Sequence, residues 1–287
     1  MKKNIFLALL ASLTFVWSCD KIESNNGFYD EFAGVYVENE EGTPVADKSQ
    51  RAFLEKYTGV RCVNCPTADE AIAAQMAAYG DRLVAISIHD SSSAFTRPFD
   101  GNPDFRTEDG NTLSVFYGVF AGGSYPTSII NRSLVGSTPE LIDPTQGANI
   151  SAKVDAILAQ TPKVAIEVAS STSNGTTKIT TNIEFLQDVD NELTLTLLII
   201  EDNITATQMM PDGTKDNNYV HGHVLRDVIT DVWGTVIDSD RRAGTCNKTS
   251  VRYTVSPAWV NANCKIVAFI SDAATREVLN VAECHLH

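Results

Sequence analysis

The stretch FLEKYTGVRCVNCP, residues 53–66, decides how the rest of the chain is read. Phe53 to Thr58 reads as a strand. Beyond the stretch, Thr67 to Tyr79 carries Ile72, Met76 and Tyr79 at i, i+4 and i+7 with alanines between, which is helical spacing. Gly80 supplies a stop just past that helix, and Pro66 fits its first turn, where a missing N–H costs nothing. Cys62-Val63-Asn64-Cys65 therefore lies at a strand-to-helix junction. Three chemistries suit a CxxC there. Half of a zinc site needs a second ligand pair, and the other cysteines are not spaced as one. A structural disulfide is compatible, although so short a loop stabilises little. A redox dithiol needs a thiolate of lowered pKa, which the unpaired N–H groups and dipole of a helix N-terminus supply. In that case Cys62 attacks and Cys65 resolves. Exposure separates the last two: a redox site leaves Cys62 partly accessible beside Pro126, and a structural one buries it.

Outward from this junction, Arg82 to His89 reads as a buried strand. Residues 90–111 are rich in Ser, Pro, Gly and Asp and read as a long loop, with a short helix over Thr112 to Gly118. Thr127 to Leu134 is a further strand and Ile150 to Gln160 a further helix. Such alternation indicates an α/β domain. Ser124-Tyr125-Pro126-Thr127, placed just before a strand, resembles the cis-proline segment of thioredoxin-like proteins, in which the proline faces the CxxC. The order of strand, CxxC, helix, strand and Pro-Thr strand matches that fold, and the loop 90–111 accounts for the longer spacing. The chain departs from the pattern at Arg61, where many thioredoxins have Trp. It also shows no acid clearly placed as a proton acceptor beneath the second cysteine.

At Thr161-Pro162 the periodicity changes. Val164, Ile166 and Val168 alternate with polar residues, as do Ile179 to Phe185, Leu193 to Ile199 and Val251 to Val255. Apolar runs follow at Ile266 to Ile270 and Val278 to Val281, and Asn174-Gly175 and Asp212-Gly213 mark turns. Several short alternating strands with turn signals predict a β-sandwich. The expected fold class is thus α/β followed by all-β, with a thioredoxin-like domain over 51–161 and an immunoglobulin-like sandwich over 162–287.

The N-terminus reads as a lipoprotein signal. Lys2 and Lys3 precede an apolar run of 12 residues, Ile5 to Val16, too short to span a bilayer. Val16-Trp17-Ser18-Cys19 resembles the lipobox of bacterial lipoproteins. Residues 1–18 are accordingly expected to be removed, Cys19 to carry palmitate-type acyl chains, and residues 19–50, polar and acidic, to form a tether with one short strand near Gly34 to Val37. The net charge is −14, and −16 once the segment with its two lysines and no acid is gone. Such a chain is no nucleic-acid binder. With 43% apolar residues it is no disordered acidic protein either.

Six cysteines in an exported chain permit disulfides. Besides Cys62–Cys65, a hairpin with Ser271 opposite Glu277 places Cys264 opposite Cys284, close enough to bridge. Cys246 is then the odd thiol, and its pairing with either of the two is the rival. His221-Gly222-His223 is expected to place two imidazoles on one face of a strand, and His285 with His287 offers more, but no acid is spaced to complete a metal site. No cofactor or metal is expected.

FLEKYTGVRCVNCP, GSYPTSIINR, YVHGHVLR and KIVAFISDAATREVLNVAE together resemble the family of Gram-negative lipoproteins named after a 28-kDa outer-membrane protein, over residues 51–287. The resemblance implies an outer-membrane, lipid-anchored protein on a thioredoxin-like and immunoglobulin-like frame. Two functions fit: a binding or structural protein of the envelope that recognises an envelope or extracellular protein or glycan, or a membrane-tethered thiol–disulfide oxidoreductase using Cys62 and Cys65 beside Pro126.

Overall fold

A computed structural model describes residues 27–30, 35–119 and 125–287. Most of the regular structure is strand, and two sheets face each other as a sandwich. The smaller sheet holds β1 (Gly27–Asp30), β2 (Val35–Glu41), β14 (Cys246–Tyr253), β8 (Thr176–Phe185) and β7 (Val164–Ser173), paired in that order. The larger sheet runs β16 (Val278–His285), β15 (Cys264–Asp272), β9 (Leu193–Glu201), β12 (Val224–Val228), β4 (Leu83–Ile88), β3 (Ala52–Tyr57), β5 (Thr127–Val135) and β6 (Thr138–Ile142). The short β13 (Thr235–Val236) pairs with β9. A separate hairpin pairs β10 (Ile204–Met209) with β11 (Lys215–His221).

Sequence periodicity explains the layers. In β9, Leu195, Leu197 and Ile199 pack with Ile179, Ile183 and Phe185 of the smaller sheet, while Leu198 and Ile200 point the other way, toward Phe53, Ile86 and Phe269. A strand covered on both faces needs this near-continuous apolar run. On the sandwich side of the large sheet, α1 (Cys65–Tyr79) and α3 (Gly147–Leu158) cover β3, β4 and β5 through Ile72, Ile150, Val154 and Ile157. On the opposite face α2 (Glu108–Phe116) contributes Leu113. This helix begins earlier than predicted, because the Thr107 hydroxyl caps it by accepting from Gly110 N–H at 2.9 Å.

The composition change at Thr161-Pro162 does not divide the large sheet. Strands from either side of that position share it, with β12 beside β4. Part of the predicted tether is likewise built in. β2 pairs with β14, Gly42 N–H donates to Cys246 O at 3.1 Å, and Val45 is buried with its N–H on Glu184 at 2.8 Å. Nothing in residues 38–45 announces this, since β2 runs largely through Glu and Asn.

Four buried polar side chains hold the seam. Asn131 and Arg132 both adopt positive φ, near 50°, which interrupts the ladder between β5 and β6 and turns Arg132 inward. There its guanidinium donates to both oxygens of Glu55 at 2.9 and 2.8 Å. Asn131 accepts from Phe53 N–H at 2.7 Å and donates to Val278 O at 3.0 Å. Asn280 accepts from Arg51 N–H and donates to Ser49 O and Val164 O.

The variant Arg132→Met leaves Glu55 buried without its partner, and urea unfolding is expected to show a loss of about 3–5 kcal/mol. Adding Glu55→Leu is expected to recover most of that loss, because an apolar pair needs no counter-charge. A double variant no more stable than the single one would place the defect in the backbone bend rather than in the charge.

Candidate functional site

The CxxC turn occupies the loop from Thr58 to Asn64, between β3 and α1. Its backbone is held down from two directions. Arg61 N–H donates to Phe95 O at 2.8 Å. The Arg61 guanidinium donates to Arg97 O and Pro98 O at 2.7 and 2.8 Å and lies 4.0 Å over the Phe99 ring. Gly59 permits this approach, since a Cβ there would meet Phe95 O at 2.5 Å. From the other direction comes the β10–β11 hairpin. Gln208 donates its amide to Cys62 O at 3.0 Å, and Met209 N–H donates to Val60 O at 2.9 Å. Val60, Phe105, Ala206 and Val224 form the apolar seal beneath.

Cys62 and Cys65 form a disulfide. Cys62 is only 3% exposed and Cys65 fully buried, whereas Val63 between them is 38% exposed. The turn therefore shows solvent its middle and hides its sulfurs. Asn64, at the cap position of α1, makes no side-chain cap. The Tyr125–Pro126 peptide is cis. Pro126 lines an open groove of about 580 Å³ together with Asn64, Thr67 and Tyr125 on one side and Leu141 and Ile142 of β6 on the other. The fold thus brings the CxxC turn and Pro126 to one groove, but neither sulfur lines it. Gln208 lies 146 residues from Cys62, and sequence reading had no signal for it.

The other candidates stand differently. The predicted Cys264–Cys284 bridge is not formed, and Cys246, Cys264 and Cys284 are all free thiols. The expected register fails by two residues. Ser271 pairs with Val278 instead of Glu277, and a bulge between Ile270 and Ser271 adds a second step. Cys284 then opposes Ile266, and Leu286 N–H reaches Cys264 O. Burial pushes the Cys264 thiol up to about 12. His221 ends β11, whereas His223 has positive φ and turns its ring to Asp202, Nδ1 to Oδ1 at 3.1 Å, so the two imidazoles share no strand face. Among the described residues no three His, Cys, Asp or Glu side chains are grouped to hold a metal. Cys19 lies outside the described residues.

His89 and His221 flank Phe105, with ring centroids 5.2 and 4.9 Å away. Burial holds both below the ordinary value of 6.5, His221 at about 4.

The chain matches the family of outer membrane protein Omp28 over residues 113–287, more than half its length. Among solved structures it is similar to HBP35 of Porphyromonas gingivalis, at 17% identity and a TM-score of 0.63, covering 84% of this chain and 77% of that one. It is also similar to a protein from Agrobacterium tumefaciens, at 18% identity and a TM-score of 0.49, covering 84% and 96%. A third is a domain of the outer membrane lipoprotein Omp28 from Porphyromonas gingivalis, at 21% identity and a TM-score of 0.33, covering 44% and 89%. No curated protein matches the chain. Among the described residues no helix is long and apolar enough to cross a membrane.

Peptide mapping without reductant is expected to recover a Cys62–Cys65 disulfide and unlinked Cys246, Cys264 and Cys284. Maleimide at neutral pH is expected to label Cys246 first and Cys264 only on unfolding. A linked Cys264–Cys284 peptide would contradict the register.

His221, neutral in the fold and basic once unfolded, stabilises fully above pH 6.5, and that contribution is lost as the pH falls toward 4. The loss is about 3 kcal/mol. Urea midpoints of His221→Phe are therefore expected to fall less than those of the wild type between pH 7 and pH 4.

Proposed function

The chain belongs to the Omp28 family of outer membrane proteins, and on that premise we propose that it is a non-catalytic binding protein of the cell envelope, built on a thioredoxin-like scaffold and tethered by a lipid on Cys19. The observation that carries this reading is the burial of Cys62. A thiolate that exchanges disulfides must meet a substrate sulfur, and its rate depends on access. Gln208, Met209 and Phe95 O pin the backbone of the turn in which Cys62 is buried.

The scaffold reading is supported by the chain order and pairing around the disulfide. β3 and β4 are parallel and joined through α1, and β5 runs antiparallel to β3 directly after Pro126. The disulfide sits at the start of α1. The binding reading is supported by the groove at Pro126. One of its walls is β6, an edge strand of the large sheet. An edge strand presents unpaired backbone N–H and C=O groups, and an extended segment of another chain can pair with them. The partner favoured by this geometry is an unfolded or terminal segment of an envelope or extracellular protein. The net charge of −14 favours a basic one.

The alternative, a membrane-tethered thiol–disulfide oxidoreductase, rests on the same disulfide at a helix start. The reduction potential separates the two. A value below about −300 mV without insulin-reductase activity is expected for the binding reading. A potential near the thioredoxin range of about −270 mV or higher, with turnover of insulin, would replace it. For the anchor, Cys19→Ser is expected to abolish incorporation of labelled palmitate and to release the protein from the membrane fraction. Persistent membrane association without label would remove the lipid from the proposal.

A further inference from the structure

A second cavity, of about 190 Å³, lies along the inner face of α1 and shares no lining residue with the groove at Pro126. One wall is apolar: Ile72, Ala73 and Met76 of α1, with Ala85 and Ile86 of β4. The other end is charged. Lys56, the penultimate residue of β3, is 5% exposed and forms an ion pair with Asp69 of α1. The Tyr219 hydroxyl, from β11, donates to the second oxygen of Asp69 at 2.8 Å. Among the neighbouring polar groups, Ser87 donates to Gly222 O, while His223 Nδ1 lies 3.1 Å from Asp202 Oδ1 without a hydrogen bond. Lys56 and Ser87 of its lining stand near the carboxyl ends of the parallel strands β3 and β4, the place in an α/β layer where ligands collect.

An ammonium here is costly. A helix packed on a sheet would ordinarily close this contact with an apolar side chain, and burial pushes Lys56 down to about 7. The ion pair limits what can enter. A monoanion drawn to Lys56 displaces Asp69 and leaves that carboxylate with only the Tyr219 hydroxyl. A cation drawn to Asp69 strands Lys56, and a buried charge deprived of its partner is strongly destabilising. A neutral ligand gains only the apolar wall. A zwitterion compensates both charges, while the exposed side of Asp69 gives it room to swing aside.

We propose that this cavity binds a small apolar α-amino acid, its carboxylate on Lys56, its ammonium on Asp69 and its aliphatic side chain against Ile72, Ala73 and Met76. The site is independent of the CxxC turn and of the groove at Pro126.

Calorimetric titration of the whole protein in detergent tests this. The probes are L-leucine, 4-methylpentanoate, which lacks the ammonium, isoamylamine, which lacks the carboxylate, and the neutral isopentanol. Leucine is expected to bind, and each analogue to bind at least about tenfold more weakly. This series uses the unaltered protein and needs no variant to fold. Lys56→Met and the cavity-filling Met76→Trp are each expected to abolish leucine binding with an unchanged circular dichroism spectrum. The proposal fails if leucine gives no heat at millimolar concentration, if isopentanol binds as well as leucine, or if leucine binding survives in a folded Lys56→Met protein.

Discussion

Glu55 and Arg132 are both closed off from solvent, and their bidentate contact sits between strands that must lie side by side for either charge to be tolerated. An Arg–carboxylate pair in this setting is directional in a way that apolar contact is not. Arg132 reaches Glu55 only because Asn131 and Arg132 leave the extended conformation, and that departure has a second effect. It frees the Asn131 side chain to bridge Phe53 and Val278, tying β3 to β16. Asn280 repeats the device from the other side, reaching Ser49 and Val164. The two compositional halves of the chain are thereby locked around a shared sheet.

This lock positions the CxxC turn. With β12 placed beside β4, the β10–β11 hairpin that precedes it projects over the loop from Thr58 to Asn64. The carbonyls of Val60 and Cys62 are then taken by Met209 and Gln208, while Phe95 and the backbone of residues 97–98 hold Arg61. A disulfide at a helix start would be reactive if it stood free. Here both sulfurs are buried. Helix α1 is left with two open regions, a groove at its N-terminus bordered by the edge strand β6 and a charged-to-apolar cavity along its inner face. The first suits an extended chain and the second a small molecule, because one is open along a strand edge and the other ends on a paired ammonium and carboxylate.

Several elements were legible because their causes are local. The 3.6-residue spacing of Ile72, Met76 and Tyr79, with Gly80 after it, marks α1 to within two residues of its observed span. Alternation marks β7, β8 and β9 as strands, although β9 is buried on both faces where alternation predicts one polar face. Other features escaped because they hinge on a single residue of slippage or on pairing at long range. One bulge and one extra turn residue were enough to undo the inferred contact of Cys264 with Cys284. The attachment of β2 is set by β14, some two hundred residues away in sequence, and the acidic composition of residues 38–41 concealed it.

The sequence by itself determined many of the elements, though not β6, β12 or the β10–β11 hairpin, and the order of the chemical parts: a strand, Cys62 and Cys65 at the head of a helix, Pro126 before a strand, then a run of sandwich strands. These follow from side-chain period and backbone preference, which act over a few residues. Only the tertiary structure decided that Cys62 is buried, in a turn whose backbone is held by Gln208 from 146 positions away. Only it decided that Lys56 and Asp69 border a cavity closed by Tyr219, 150 positions from Asp69. Exposure and charge pairing depend on what packs against a residue, and that is set by sheet order and register rather than by the residue's own neighbours along the chain.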